Sequence, residues 1–327
     1  MKKLKITIAL AAVMGLAACG GGSPSAPADG GSADGAAGGL EAIEVGVIPI
    51  VDVAPIYLGV EEGLFEEEGL DVTLTLAQGG AAIVPAITSG QMDFGFSNVT
   101  SMVVARSKGL PLRMVAAGAN TTGDVEDDFA AVMTKPDSGI EEIQDLVGKK
   151  VGVNTLNNIS DSTISEAVKQ AGGDYTQIDF VEMPFPDMAG QLDADNVDAI
   201  AAVEPFVTIA EGDGNVRVFS NYAEPVENLT VATYFTSDQY LEQNPETAEK
   251  FARAMKASLE FAEANPDRVR EILPTYTTLE PDVIEQLTLP KFPTEVNSAS
   301  IEEIAQISLD RGLIEEVPDL AALLPAE

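Results

Sequence analysis

From Ile43 to Phe235, short runs of Val, Ile and Phe alternate with stretches of helical periodicity. That alternation restricts the chain to α/β architectures with mainly parallel strands, because each strand must be followed by a crossover long enough to return to the same sheet edge. Strands are predicted over Ile43–Ile48, Val72–Leu76, Asp93–Phe96, Leu112–Ala117 and Ala130–Thr134. Helices are predicted over Pro55–Glu62, opened by proline, Ala81–Thr88 and Val99–Lys108. A second unit then repeats the pattern. It has a short helix over Ile140–Leu146 and strands at Lys150–Val153, Asp179–Met183, Ala199–Val203 and Val216–Phe219. Its helices are Asp161–Ala171 and the turn Met188–Leu192, and Thr230–Phe235 is expected to close it.

The two units echo each other. Ser89-Gly90-Gln91-Met92-Asp93 before one strand resembles Asp195-Asn196-Val197-Asp198 before another, and Gly46-Val47-Ile48 matches Val151-Gly152-Val153. The remainder is helical: Pro245–Asn265 sets Ala248, Phe251, Ala252, Met255, Leu259 and Ala262 on one face, and further helices are expected near Pro281–Leu289 and Ser300–Arg311. These helices should return to the first unit, which makes it discontinuous. The expected division is one lobe from residues 42–132 plus 234–327 and a second from residues 133–233. Two chain crossings, near Ala131–Thr134 and Val231–Phe235, would form a hinge.

Ahead of this domain, Lys2, Lys3 and Lys5 precede an apolar run over Ile6–Met14 and then Leu16-Ala17-Ala18-Cys19. The run is too short for a membrane span, and small residues before a cysteine predict a lipoprotein signal over residues 1–18, with cleavage before Cys19 and lipid on its sulfur. An ordinary signal peptide with a chance cysteine is the alternative. Residues 19–41, almost all Gly, Ala, Ser, Pro and Asp, have no apolar surface to bury and read as a tether. The expected location is the outer face of a cell membrane, held there by lipid alone.

Charge and missing residue types narrow the chemistry. The chain has 18 Lys+Arg against 53 Asp+Glu, and removing the three leader lysines leaves 15 against 53, a formal −38. Phosphate contacts need a basic surface, so nucleic acid is excluded as a partner. There is no histidine, and Cys19 is the single cysteine. Histidine-dependent triads and zinc sites are therefore ruled out, and no cofactor or metal is expected.

In open parallel sheets, ligands bind beyond the carboxyl ends of strands, where loops lead into helix N-termini. Four such loops are readable: Asp52-Val53-Ala54-Pro55, Gln78-Gly79-Gly80-Ala81, Ser97-Asn98-Val99-Thr100 and Asn154-Thr155-Leu156-Asn157-Asn158-Ile159-Ser160-Asp161. Each is expected to present unpaired N–H groups and the positive end of a helix dipole. Glu204-Pro205-Phe206 ends a second-lobe strand at a comparable position, and Pro184-Phe185-Pro186-Asp187 is a weaker candidate of the same kind. Plainer roles stand beside these. Asp52, Ser97 and Ser160 are also common helix caps, Gly79 and Gly80 also turn the chain, and Glu204 also suits a solvated surface. Tyr57 and Phe206 also suit lobe packing.

Several stretches carry a family resemblance. Ala54-Pro55-Ile56-Tyr57, Glu62-Gly63-Leu64-Phe65, Glu68-Gly69-Leu70-Asp71-Val72 and Gly90-Gln91-Met92-Asp93 resemble the opening lobe of the SsuA/THI5-like (NMT1-like) solute-binding proteins. Asp145–Val153 looks like that family's entry to the second lobe, and Val203-Glu204-Pro205-Phe206 its acid-proline motif at the cleft. The resemblance implies a two-lobe periplasmic-binding-protein fold of type II, with a mainly parallel sheet in each lobe and a two-crossing hinge. It further implies a monomer that closes on a small molecule and delivers it to an ABC permease and its ATPase. Family ligands include alkanesulfonates, taurine, nitrate and thiamine-pyrimidine precursors.

No Lys or Arg lies in these strand-end loops, so an anion would depend on helix dipoles and neutral donors. Asp52 and Glu204 tilt the expectation toward a ligand bearing amine or amide N–H groups. Some relatives of the family synthesise a thiamine pyrimidine, which makes an enzyme the alternative, though His and Cys are missing from the mature fold. A sensing lipoprotein without an importer is a third reading.

Overall fold

Ten strands, among the residues the structure describes, form two five-stranded sheets. The computed structural model describes residues 39–325 with the exception of Gln78. The expected leader, Cys19 and the tether up to residue 38 lie outside the described residues, as does Gln78 of the second loop.

The first sheet contains β1 (Glu41–Val47), β2 (Leu70–Leu76), β3 (Phe94–Asn98) and β4 (Leu112–Asn120). The second contains β5 (Ala130–Thr134), β6 (Lys150–Val153), β7 (Asp179–Glu182), β8 (Ala199–Val203) and β9 (Val216–Phe219). β10 (Thr230–Ser237) belongs to the first. The strand orders are β2-β1-β3-β10-β4 and β7-β6-β8-β5-β9. β1 runs parallel to β2 and β3, and β6 parallel to β7 and β8. In each sheet one strand is antiparallel to both neighbours: β10 between β3 and β4, and β5 between β8 and β9.

This corrects two expectations. Ala130–Thr134 joins the second sheet and does not continue the first, while Thr230–Phe235 lies in the first sheet and does not close the second. The chain passes between sheets over residues 121–129 and 220–229, so the expected crossings fall inside β5 and β10. The reason is physical. Both strands are buried along their whole length, so neither shows the in–out alternation that would mark a sheet face, and neither signals which sheet it enters.

Helices flank both sheets. In chain order they are α1 (Ala54–Glu61), α2 (Leu64–Glu67), α3 (Gly80–Thr88), α4 (Val99–Ser107), α5 (Ile159–Gln170), α6 (Met188–Asp193) and α7 (Phe206–Gly212). They continue with α8 (Asp238–Gln243), α9 (Pro245–Ala264), α10 (Pro266–Ile272), α11 (Pro281–Gln286), α12 (Ser298–Asp310) and α13 (Leu320–Leu323). The expected helix over Ile140–Leu146 is only a 3₁₀ turn at Ile143–Leu146.

α9 shows how sequence sets packing. Pro245 opens it at a position where no amide donor is needed, and Phe251, Met255, Leu259 and Ala262 recur at helical spacing and are buried. Phe251 stacks on Phe94 of β3 with centroids 3.9 Å apart, which seats α9 on the first sheet. α1 approaches α9 so closely that a Cβ on Gly59 would stand 1.9 Å from Ser258 Oγ. A separate apolar cluster in the second lobe gathers Val132, Val151, Ile164, Val168 and Phe219.

Asp128 joins the two crossings. Its buried carboxylate accepts hydrogen bonds from Thr121 Oγ1 (2.9 Å), the Thr122 amide (2.8 Å) and Thr122 Oγ1 (3.0 Å), all on the first crossing. It also accepts one from Ser220 Oγ (2.7 Å) on the second. Arg217 Nη1 donates to the Asp128 carbonyl at 2.7 Å. Replacing Asp128 by Ala removes the shared acceptor of several buried or half-buried donors at once. The expected cost is about 3 kcal/mol, read as a lower urea midpoint at unchanged m-value.

Candidate functional site

The carboxyl ends of β1, β2 and β3 face those of β6, β7 and β8 across the seam between the sheets. From the first lobe come the 3₁₀ turn Val51–Val53 with Asp52, the Gly79–Gly80 entry to α3, and Ser97-Asn98 at the start of α4. From the second come Asn154–Asn158 leading into α5, the Pro184–Pro186 turn, and Glu204-Pro205 leading into α7.

Hydrogen bonds bridge the seam. The Val51 amide donates to the Glu204 carbonyl at 3.4 Å, and Ser101 Oγ of α4 donates to Asn158 Oδ1 of α5 at 3.1 Å. Arg311, just past α12, pairs with Asp161 Oδ1 at 3.1 Å and donates to Ser162 Oγ at 2.9 Å. Thr288, from the C-terminal segment, donates its amide to Glu204 Oε1 at 3.1 Å. A Cβ on Gly79 would lie 3.8 Å from Thr155 Oγ1 and 4.0 Å from Asn154 Nδ2, so these loops meet where Gly79 has no side chain. Beside this contact lies a cavity of about 530 Å³ lined by Ser101, Val104, Lys108 and Thr155–Asn158. A smaller one of about 80 Å³ lies between Ile48–Ile50 with Ala77 and Pro184–Pro186 with Phe206.

The candidate residues divide by what their atoms do. Asn98 Oδ1 accepts from the Ser101 amide and caps α4, ahead of buried Val99. Asn158 and Asp161 form a capping box on α5: Asn158 Oδ1 accepts from the Ile159 amide, and Asp161 accepts from the Asn157 and Asn158 amides. The loop into α5 therefore has part of its donor capacity used within the chain: Asp161 takes the amides of residues 157 and 158, and Asn158 takes that of Ile159.

Ser97, Ser160 and Asp52 are not caps. Ser160 Oγ lies 3.4 Å from Tyr222 OH, and Ser97 Oγ is buried without a hydrogen-bond partner. Gly80 is required by its neighbour, since a Cβ there would sit 2.1 Å from Ser97 Oγ. Val53 and Pro55 are buried at the start of α1, and half-buried Tyr57 stacks on Tyr276 with centroids 3.9 Å apart. Tyr276 OH donates to the Ile50 carbonyl at 3.2 Å. Phe206 stacks on Phe185 at 5.6 Å.

Glu204 and Asp52 are both buried carboxyls with opposite surroundings. Glu204 is fully engaged: Thr208 donates its amide (3.1 Å) and hydroxyl (2.8 Å), and Thr288 its amide. Burial pushes its pKa up to about 7 against those bonds. Asp52 is 3% exposed, and its Oδ1 has no hydrogen-bond partner. Burial pushes it to about 7, opposed by its own amide and reinforced by the Asp128 charge. Tyr222, Tyr234 and Tyr276 are each pushed upward by burial, with the charge of Asp52 adding to the shift.

Sequence reasoning missed Tyr222, Tyr276, Thr288, Ser101 and Arg311. All but Ser101 come from the second crossing or the C-terminal third, where no local motif announces a side chain reaching the seam. Among the described residues no cluster of acidic, His or Cys side chains is arranged to hold a metal ion, and no helix is long and apolar enough to cross a membrane.

Two mixed sheets with matching strand order, joined by two crossings and flanked by helices, define a two-lobe periplasmic-binding-protein fold. The chain belongs to the NMT1/THI5-like family, whose model matches residues 50–269. It is similar to the formylaminopyrimidine-binding protein of Halalkalibacterium halodurans, with 25% identity over 84% of this chain and 79% of that one. It is also 26% identical to a 4-amino-5-hydroxymethyl-2-methylpyrimidine phosphate synthase of Aspergillus parasiticus, over 65% of this chain and 64% of that enzyme. Among solved structures, the ligand-binding component of an ABC-type import system from Staphylococcus aureus superimposes with a TM-score of 0.75 at 15% identity. That match covers 88% of this chain and 97% of the other.

The raised carboxyls set a pH dependence. Asp52 and Glu204 hold protons in the folded chain that they release in the unfolded one between about pH 4 and 7, so their contribution to stability is present below that window and lost as pH rises through it. Asp145 and Asp174, held low by nearby donors, act in the opposite sense, so the comparison is between variant and wild type at each pH. Asp52→Asn is expected to melt with the wild type near pH 4 and about 3–6 °C above it at pH 7.5 in thermal scans.

Proposed function

We propose that this chain is the solute-binding component of an ABC importer. It is exported, anchored by lipid on Cys19, and captures a small solute between its lobes for delivery to a permease and its ATPase. The observation that supports this most directly is the seam itself. Loops at the strand ends of both sheets meet there, bridged by a few hydrogen bonds that hinge opening would break. A ligand touching both lobes biases such an equilibrium toward closure, and a closed form distinct from the open one is what a membrane partner can recognise. The import system component that shares the fold and the formylaminopyrimidine-binding relative support the same reading.

Solutes in keeping with the family are sulfonates, taurine and nitrate on one side and pyrimidine-like heteroaromatics on the other. The synthase relatives raise the alternative of an enzyme. We favour binding without turnover, because the chain has no histidine and its single cysteine is Cys19. The chain is proposed to act as a monomer.

The test is native mass spectrometry of the purified full-length protein followed by a thermal-shift panel of sulfonates, nitrate, pyrimidines and flavins. A solute present at a hundred times its Kd is expected to stabilise by about 2.7 kcal/mol and to raise Tm by about 5 °C or more. Gly79→Leu keeps an extended backbone that any residue adopts but drives a side chain into Thr155 across the seam. It is expected to keep the apo Tm and lose the ligand shift. The absence of both a co-purified mass and any thermal shift would count against the reading.

A further inference from the structure

We propose that Arg311 is a positioning residue for solute capture: it docks on Asp161 across the lobe boundary, and this contact holds the second lobe's cleft loop against the first lobe in the closed form. The inference rests on the hinge closure invoked above and deepens it by naming the contact that sets the balance between closed and open forms.

The pair joins two bodies. Arg311 is the C-cap of α12, a helix that packs on α4 of the first lobe. α12 begins beside the end of the second crossing, where Ser300 Oγ accepts from the Thr230 amide at 3.1 Å. Asp161 stands in the first turn of α5, in the second lobe. Arg311 Nη1 lies 3.1 Å from Asp161 Oδ1 and donates to Ser162 Oγ at 2.9 Å, and its guanidinium carbon lies 5.9 Å from the centre of the Phe180 ring in β7. A planar fork that meets two acceptors and packs over a ring is a task for arginine and not for lysine.

Asp161 passes the contact on to the cleft. Its Oδ2 accepts from the Asn157 amide at 2.7 Å and its Oδ1 from the Asn158 amide at 2.8 Å, so the carboxylate fixes the turn that ends the Asn154–Asn158 loop. Asn158 Oδ1 in turn accepts from Ser101 Oγ of α4 at 3.1 Å. The entry to α5 is thus gripped twice by the first lobe, once from α12 and once from α4.

The pair suits a contact that is made and broken. The side chains of Arg311 and Asp161 are 12% and 2% exposed, and Arg311 is the one cation paired with Asp161 among the described residues. Opening lets water reach both groups, and closing strips it again, so attraction and desolvation nearly cancel for the intact pair. Removing Arg311 upsets that balance in one direction. The closed form keeps a buried carboxylate with no counter-charge, while the open form hydrates it. Lys169 of α5 also reaches α12, at 3.1 Å from Asp310, but both of those side chains are far more exposed and solvent screens their attraction. The weight of the α5–α12 contact therefore falls on Arg311.

Hydrogen exchange of the purified full-length protein near neutral pH, without added solute, tests this with the Val51 amide as reporter. That amide donates across the seam to the Glu204 carbonyl at 3.4 Å, and neither residue is bonded to Arg311 or Asp161. Its exchange follows the open fraction of the molecule. Arg311→Met is expected to speed exchange at Val51 roughly thirtyfold, with the far-UV circular dichroism unchanged. Arg311→Lys keeps the charge but loses the fork, and should speed it about threefold. Arg311→Met combined with Asp161→Asn should be no faster than Arg311→Met alone, because both changes remove the same contact. Should Arg311→Met fail to fold, Arg311→Lys decides. Faster exchange confined to residues 155–162, with Val51 unchanged, overturns the proposal, since the pair then shapes only its own loop. Effects of the two substitutions that simply add overturn it as well. No arm needs a solute, so a silent thermal-shift panel would sink the solute-binding reading and leave the Arg311 contact to be decided at Val51.

Discussion

The carboxylate of Asp128 is the point on which the two-lobe arrangement depends. The chain crosses between sheets twice, and a flexible pair of crossings would leave the lobes free to take many relative positions. Asp128 instead collects hydroxyl and amide donors from residues 121–122 on one crossing and Ser220 on the other, while its carbonyl takes Arg217 from β9. Charge-assisted hydrogen bonds of this kind are about twice as strong as neutral ones and fix direction as well as distance. The strand ends that face each other across the seam do so because the crossings are held side by side. The same charge then acts on the site, since Asp128 is one cause of the raised pKa of Asp52.

How much of this was legible in the sequence follows from which signals are local. Strand positions were, because apolar runs bounded by turn residues are short-range patterns: β5, β6, β8 and β9 have the bounds the sequence predicts. Sheet membership was not, because β5 and β10 each leave the sheet of the strand before them, and an evenly buried run does not say so. α7 was missed because Pro205 reads as a turn and the helix it opens lasts only seven residues. In the site, Asp52 and Glu204 were found by position, one after β1 and the other after β8. Their opposite fates were hidden: Glu204 is satisfied by Thr208 and by Thr288, a residue 84 positions away, while Asp52 meets no such partner.

That contrast explains a fold that spends stability unevenly. Glu204 is buried and bonded into both lobes, so its charge is answered within the chain. Asp52 is buried and unanswered, as are Ser97, Thr100 and Tyr234 close to the same strand ends. Native proteins bury few such groups, and they concentrate where the chain is shaped for something other than itself. The N-termini of α4 and α5 are capped in part by the chain itself: Asn98 takes the Ser101 amide and Asn158 the Ile159 amide, while α3 has no side-chain cap.

The exchange of antiparallel strands between sheets also dictates the order in which the molecule can assemble. Every strand of the second sheet lies in one unbroken stretch, from Ala130 to Phe219. The first sheet is interrupted by that whole stretch. β4 has no hydrogen-bonded neighbour within its own sheet until β10 arrives more than a hundred residues later to slot between it and β3. Closing so long a loop is entropically slow unless the intervening chain is already compact. The second lobe therefore serves as a scaffold for the first: once folded, it brings residue 220 back beside residue 121, and the last strand has only a short distance left to travel.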